Sequence, residues 1–374
     1  MTKHQSKIEQ LISKLCPSGV KFIELSGVVQ IRRGVRVVRS QLEETGMYPV
    51  YQNSMVPLGY YNKTNNEADT TFIITAGAAG EIGYSNVDFW AADDCFTLIH
   101  SGNFQSKFLF HFLKTKQDFL FSRVRRASVP RLSRTVIEKI KIPVPPLAIQ
   151  EEIVKILNKF TQLEAELEAE LEARKKQYNH YRDSLLVSKR IESHIYKLGD
   201  IAKNFDSRRK PVTKSAREAG SYPYYGASGI VDYVSDYIFD GNYLLVSEDG
   251  ANLLARSTPI AFQTNGKVWV NNHAHILEFE NKITQRFVEI YLNSIDLSMY
   301  ISGAAQPKLN QENLNKIEIP LPNTAEQERI VNILDKFDAL VSDISIGLPA
   351  ELNARRQQYE YYRNKLLTFN EYVG

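Results

Sequence analysis

LAIQEEIVKILNKFTQLEAELEAELEARKKQYNHYRDSLL, residues 147–186, reads as one long helix. Ile153, Ile156, Phe160, Leu163, Leu167, Leu171, Tyr178, Tyr181 and Leu185 recur at spacings of three, four or seven, the rhythm of a seam that packs against a partner helix. Pro145 and Pro146 mark the end of the segment before it. A second copy lies beyond Pro322, AEQERIVNILDKFDALVSDISIGLPAELNARRQQYEYYRNKLLTF. Gln150, Glu151, Ile153, Ile156, Leu157, Lys159 and Phe160 fall on Gln327, Glu328, Ile330, Ile333, Leu334, Lys336 and Phe337 at a constant offset of 177. Arg174, Tyr178, Tyr181, Arg182, Leu185 and Leu186 fall on Arg355, Tyr359, Tyr362, Arg363, Leu366 and Leu367 at an offset of 181. The two offsets differ by about one helical turn.

The globular stretches before each copy also match. Tyr48, Pro49 and Tyr51 echo Tyr222, Pro223 and Tyr225, while Trp90, Phe108 and Leu113 echo Trp269, Phe287 and Leu292 at an offset of 179. Pro130, Leu132, Ile140, Pro143 and Pro145 correspond to Pro307, Leu309, Ile317, Pro320 and Pro322. The repeated unit is therefore a globular domain plus a long helix. What matches is framework; the polar loops differ, QIRRGVRVVRS against NFDSRRKPVTKS, YQNSMV against YGASGI and TAGAAGEIGY against VSEDGANLLA. A shared scaffold with unlike loops points to two binding sites for different ligands. The expected fold is α+β, two similar mixed α/β globular domains separated by two long helices that form an antiparallel coiled coil, a pseudo-two-fold internal repeat. Antiparallel pairing would put one domain at each end of a helix of about 60 Å, enough to hold two readers about 34 Å apart, one turn of DNA.

The division follows the repeat: residues 1–146, a helical region 147–190, residues 191–322 and a second helical region 323–374. A chain of 374 residues with 43% hydrophobic content buries cores in two domains. No apolar run approaches the length of a membrane span and MTKHQSK leads into no signal-peptide core, so a cytoplasmic protein is expected. Cys16 and Cys95 stand alone, without CxxC spacing, and read as two reduced thiols. The net charge of +3 is unevenly spread. Residues 1–146 carry 19 Lys and Arg against 12 Asp and Glu, and residues 191–322 carry 13 against 15. Only the first globular segment is basic as a whole, which suits an anionic partner there; the second must place its cations locally.

Ile8, Leu11, Ile12 and Leu15 predict a short helix over 6–15, closed by Pro17 and Gly19. The runs YPVY, TTFIIT and CFTLIH predict strands, residues 107–119 a helix, and KIKIPVP a last strand before the long helix.

With these residues in place, IPVPPLAIQEEIVKILNKF with QYNHYRDSLL, IPLPNTAEQERIVNILDKFDAL with GLPAELNARRQQYEYYRNKLL, and the openings YKLGDIA and YPYYGASG, the chain resembles the specificity (S) subunits of type I restriction-modification systems along essentially its entire length. The resemblance implies target recognition domain 1, a central helical region, target recognition domain 2 and a C-terminal helical region. It implies a non-catalytic reader of double-stranded DNA that docks two methyltransferase (M) subunits and, in the full complex, restriction (R) subunits. Each domain would read one half of an asymmetric bipartite target. S-adenosylmethionine, used for adenine methylation in such complexes, would be held by the partner, leaving this chain without a cofactor.

The residues agree on the last point. No NPPY-like or DPPY-like tetrapeptide is present to grip an extruded adenine, and no GxxxxGK[ST] phosphate loop. Gly77, Gly80 and Gly83 lack GxGxxG spacing and read as turn glycines. Glu248 and Asp249 read as a turn, with no partnering carboxylate and lysine cluster apparent. His273 and His275 would share one strand face but lack further ligands, so no metal site is expected.

DNA binding needs cations for phosphates and side chains for base edges. Two loops per domain offer both. In the first domain they hold Arg32, Arg33, Arg36 and Arg39, then Arg123, Arg125, Arg126 and Arg131; in the second, Arg208, Arg209, Lys210 and Lys214, then Gln306 and Lys308. Arg pairs with guanine and Gln with adenine; the other reading is solvated loop charge. Val129 stands in RASVPRL where GAAQPKL has Gln306, so a glutamine contact does not transfer to the first domain. Tyr178, Tyr181 and Arg182, with Tyr359, Tyr362 and Arg363, read either as seam packing or as a twice-used docking face for the methyltransferase subunits. The first helix lacks the GLPAE break of the second and carries LEAE twice and nearly a third time from Leu163, either plain helix-forming composition or a ruler for the target's spacer. Two other functions stay open on the residues alone, a DNA-modifying enzyme with an unrecognised site and a coiled-coil scaffold that binds protein.

Overall fold

The computed structural model describes residues 6–100, 102, 104–126, 128–186, 193–303, 306–342 and 346–372. The chain forms two compact units, Met1–Glu168 with Glu351–Gly374, and Ala169–Ala350.

The first unit opens with α1 (Lys7–Leu15), where Ser6 and Glu9 form a reciprocal capping box and Ile8 is buried. The strands β1 (Phe22–Glu24), β2 (Val29–Arg33), β3 (Tyr48–Tyr51), β4 (Gly59–Tyr61), β5 (Thr70–Ile74), β6 (Ile82–Ser85), β7 (Trp90–Ala91) and β8 (Cys95–His100) follow. They build an antiparallel sheet in the order β2-β8-β5-β6 and a three-stranded sheet β4-β3-β7, in which β3 and β7 run parallel. Every residue of β5 is buried, as a central strand in TTFII requires. The helix expected over 107–119 divides into α2 (Ser106–Lys114) and α3 (Gln117–Ser122). The Thr115 hydroxyl donates to the Phe112 carbonyl at 2.7 Å and closes the first of them. After α4 (Arg134–Glu138), β9 (Lys141–Pro143) pairs antiparallel with β1 and hands the chain to α5 (Leu147–Leu186), with the bounds the sequence predicts.

The second unit repeats this path as β10 (Ser193–Lys197), α6 (Leu198–Ile201), β11 (Lys203–Asn204), β12 (Ala219–Gly226), β13 (Gly229–Val234), β14 (Phe239–Ser247), α7 (Asn252–Ala255), β15 (Ala261–Val270), β16 (Ala274–Glu278), α8 (Lys282–Ser294), α9 (Gln311–Asn315), β17 (Glu318–Pro322) and α10 (Thr324–Ser342). Its strands form a six-stranded sheet, β11-β16-β14-β15-β12-β13, and a separate antiparallel pair, β10-β17. The ten-residue β15 pairs antiparallel with β14 and parallel with β12, so it does the work of both β6 and β7 in one continuous strand. In the first unit that path is interrupted at Asp88, whose carboxylate accepts from the Ala68 N–H at 2.8 Å.

The last helix is α11 (Leu348–Leu366), which belongs to the first unit from Glu351 onward. The base of α5 and the end of α11 enter the first core together: Ile149, Ile153, Leu157 and Leu367 are buried with Leu98, Phe108 and Ile142. The Phe160 ring stacks on Tyr362 at 5.4 Å, and Arg356 reaches Glu164 and Glu168, so α5 and α11 run antiparallel. Within the second unit, Tyr181 meets Phe337 at 5.5 Å and Leu186 is buried with Ile330 and Leu334, so α5 and α10 are antiparallel as well. Phe160 with Tyr362 and Phe337 with Tyr181 are the repeat-related versions of one contact. Leu163, expected in the seam, is 44% exposed.

A buried glutamine ties each globular part to its helix. Gln150 Nε2 donates to the Pro145 carbonyl at 2.8 Å while its Oε1 accepts from the Gln105 N–H at 2.9 Å. Gln327 Nε2 donates to the Pro322 carbonyl at 2.7 Å while its Oε1 accepts from the Thr284 hydroxyl at 2.8 Å.

Candidate nucleic-acid interface

In each unit the loops singled out in the sequence converge at one end of the sheet's strands through the same backbone bonds. Leu132 N donates to the Thr75 carbonyl, Gly77 N to Pro130 and Thr75 N to Asp94. In the second unit Leu309 N donates to Glu248, Gly250 N to Pro307 and Glu248 N to His273. Gly77 and Gly250 occupy this turn with φ of 77° and 103°, which a residue bearing a Cβ adopts only with strain. Trp90 Nε1 donates to the Val35 carbonyl and Trp269 Nε1 to that of Lys210, each at 2.7 Å. Position by position, then, Thr75 stands where Glu248 does, Phe96 where His275 does and Arg131 where Lys308 does. From the strand registers Arg33↔Phe96 and Asn204↔Leu277, Arg33 takes the place of Asp206.

In the first unit, Arg32 and Arg33 end β2 and Arg36 follows in the loop; all three are exposed. Arg33 Nε donates to the Asp93 carbonyl at 2.9 Å, beside Asp94, which links it through Thr75 to the second loop. Arg125 and Arg131 exchange backbone hydrogen bonds of 2.8 and 3.1 Å, and both side chains and that of Arg126 are exposed. Among the described residues Arg36, Arg125, Arg126 and Arg131 have no side-chain hydrogen bond or ion pair. Arg123 lies over the Phe119 ring and Arg134 pairs with Glu138. Beneath, the buried Cys95 thiol donates to the Tyr51 and Gln52 carbonyls, and burial raises its pKa.

The second unit separates its cations. Arg208 donates to the Ile238 carbonyl at 3.2 Å and lies over the rings of Phe205 and Phe239. Arg209 turns inward: Nη1 is 2.5 Å from Glu248 Oε2 and donates to the Ala274 carbonyl at 2.9 Å, so this residue, expected as a DNA contact, is mostly enclosed in an ion network. Lys210, Gln306 and Lys308 are exposed, and Lys308 Nζ sits 3.1 Å from Glu248 Oε1.

Glu248 is thus more than a turn residue. Asp206, Glu248 and His275, remote in sequence, bring ligand atoms within 4.8 Å of one another, with Arg209 and Lys308 alongside. Strand pairing, not local spacing, assembles this grouping, so no sequence motif marks it. The carboxylates are already occupied by cations, which makes this an ion network. Burial pushes the Glu248 carboxyl up, but hydrogen bonds from Arg209 and Lys308 and the nearby His275 outweigh it and hold the group below the usual carboxylate range. For Asp206 the same burial is outweighed by His275, the Ile276 N–H and Arg209. His275 Nδ1 faces Asp206 at 2.5 Å and Nε2 faces the Leu309 carbonyl at 2.7 Å, so the network also grips the second loop. His273 is not part of it and pairs with Asp249 at 2.8 Å.

Tyr178, Tyr181 and Arg182 lie near the C-terminal end of α5, where Tyr178 packs against the Leu186, Ile330 and Leu334 cluster and Arg182 lies over its ring. Tyr359 is half-buried against the first core with its hydroxyl 2.8 Å from His111 Nδ1, Arg363 lies over its ring and Tyr362 stacks on Phe160. The rings serve the seam, while Tyr181 and Tyr362 keep 42% and 36% exposure.

The family described as "Type I restriction modification DNA specificity domain" matches residues 17–173 and 191–354, one copy in each half. The EcoR124I/EcoR124II specificity subunit of Escherichia coli is 32% identical over 344 residues, covering 83% of this chain and 84% of that one. A putative specificity subunit of Haemophilus influenzae, S.HindORF215P, is 39% identical over 178 residues, spanning 46% of each chain. Among solved structures, the type I S subunit from M. genitalium superposes with a TM-score of 0.65 over 93% of this chain and 96% of that one at 17% identity, a likeness of fold. A doubled recognition scaffold, its loops varied and its helices shared, together with a family match over both halves, makes this chain a member of the type I restriction-modification specificity subunit family.

Proposed function

We propose that the chain is the DNA-reading subunit of a type I restriction-modification complex and has no catalytic activity of its own. It binds a bipartite, asymmetric target in double-stranded DNA, one half per globular domain. It docks two methyltransferase (M) subunits and, in the full complex, restriction (R) subunits in the cytoplasm. The chain holds no cofactor; S-adenosylmethionine stays with the methyltransferase. The observation that carries this reading is the pairing of like backbone with unlike side chains: Arg33, Thr75, Phe96 and Arg131 in one domain stand where Asp206, Glu248, His275 and Lys308 stand in the other. A homodimer-like reader would repeat its contacts and read a palindrome; this chain repeats only its frame. In the first domain Arg32, Arg33, Arg36, Arg125, Arg126 and Arg131 face DNA, and in the second Arg208, Lys210, Gln306 and Lys308 do, with Arg209 supporting them from beneath.

The test is to reconstitute the chain with its methyltransferase subunits, treat unmethylated genomic DNA and map the modified adenines. The expected result is one asymmetric two-part motif with a constant spacer. A palindromic motif defeats the proposal, as does modification or cleavage by the purified chain alone, which instead supports an enzyme built on the Asp206, Glu248, His275 and Lys308 cluster. Salt-insensitive DNA association by the complex supports a protein-binding scaffold.

A further inference from the structure

Arg131 and Lys308 occupy one place in the repeated fold. Lys308 exchanges backbone hydrogen bonds with Ser302, both 2.8 Å, as Arg131 does with Arg125, and each precedes a buried leucine. What lies beneath them differs. Thr75 offers Arg131 no charge, and its hydroxyl is spent on the Asp94 carbonyl at 2.9 Å. Glu248 faces Lys308 with a carboxylate whose side chain is only 11% exposed. That carboxylate is itself fixed, with Arg209 on Oε2 and His275 at 3.8 Å, and Arg209 in turn reaches Asp206 at 3.5 Å. Lys308 is half-exposed, so its tip meets solvent and a ligand while its direction is set from below.

A flexible lysine on a DNA surface contacts phosphate as a point charge and carries no sequence information, whereas one held in place is a directed donor able to discriminate guanine O6 and N7. We propose that Glu248 is a positioning residue that aims Lys308 at a base edge in the half-site of the second domain, and that the equivalent Arg131, above Thr75, is a phosphate contact. Swinging Lys308 onto a phosphate would take the donor from a buried carboxylate, a loss that the Arg131 site does not incur. The two domains thus use the same position for different tasks. This rests on the reading that the paired loops face DNA.

The experiment uses the chain in complex with its methyltransferase subunits, a duplex carrying the mapped target for affinity at several salt concentrations, and methylation mapping on genomic DNA. Arg131→Met is expected to lower the salt slope by about 0.9, one phosphate contact, with the motif unchanged. Lys308→Met is expected to leave the slope within about 0.3 of the wild type and to relax one base position of the second half-site about ten-fold or more. Glu248→Gln is expected to relax that same position without lowering the slope, and Glu248→Asp to restore part of the discrimination. Loss of a full slope unit in Lys308→Met with the motif intact overturns the assignment, as does a Glu248→Gln motif changed elsewhere than that of Lys308→Met. Lys308 lies at the surface, so its variant decides the base contact; if Glu248→Gln fails to fold, Glu248→Asp decides the positioning, and an unaltered preference at that base position in Glu248→Asp overturns it. Salt-insensitive wild-type binding would instead defeat the DNA-reading proposal itself.

Discussion

Replacing Gln150 with leucine tests the junction between the first globular domain and its helix. The side chain is fully buried and of similar volume to leucine, so packing changes little. Two backbone groups lose their partners, however, the Gln105 N–H and the Pro145 carbonyl, at 2.9 and 2.8 Å. An orphaned buried group costs about 1–3 kcal/mol, and the added apolar surface offsets part of it, leaving a net loss of ~2–4 kcal/mol. For a unit of this size that is a fall of ~5–15 °C in the midpoint of its transition. Gln327→Leu, which strips the Pro322 carbonyl and the Thr284 hydroxyl, should lower the second unit's transition by a similar amount. Scanning calorimetry of the full chain separates the two: each variant shifts one transition. Methylation mapping with the same variants should show sites whose spacer is off by one base pair, because the domain is no longer held at one angle to the helix. A shift under about 0.5 kcal/mol in both variants, with the spacer unchanged, would refute the reasoning.

Three further outcomes are expected. Burial, with Lys107 and Arg363 nearby, lowers the His111 pKa to about 4 against a partly opposing bond to Asn158, so the unfolded chain binds the extra proton first as pH falls. Stability from this group is complete above about pH 6.5 and is lost between there and about pH 4, by up to ~3 kcal/mol; His111→Gln should flatten that part of the stability-against-pH curve, and an unchanged curve counts against it. Inserting one LEAE unit after Glu166 lengthens α5 by about 6 Å with about 40° of rotation, so the mapped spacer should grow by one or two base pairs with both half-sites retained; altered half-sites at constant spacing argue against a ruler. Replacing both Arg182 and Arg363 with alanine should reduce co-purification of the methyltransferase subunits if these arginines form a twice-used docking face, and undiminished co-purification with a lowered thermal midpoint assigns them to the seam alone.

The repeat, the length of α5 and the identity of the buried strands were all legible in the residues, because helical and strand periodicity and the 177 and 181 offsets are local or self-referential properties of a chain. The direction in which α5 meets α10 and α11 was expected and is found in Tyr181 with Phe337 and in Phe160 with Tyr362. Tertiary structure alone decided the partners of the charged loop residues. Asp206, Glu248, His275 and Lys308 come from four separate segments, and no spacing rule links them; cross-strand register and the turn at Gly250 do. For the same reason Arg208, Arg209 and Lys210, consecutive in sequence and alike in charge, part company: one lies on aromatic rings, one is drawn to a buried carboxylate, and one remains in solvent. A side chain's task at a recognition surface depends on what lies behind it, and that neighbour is supplied by a distant part of the chain.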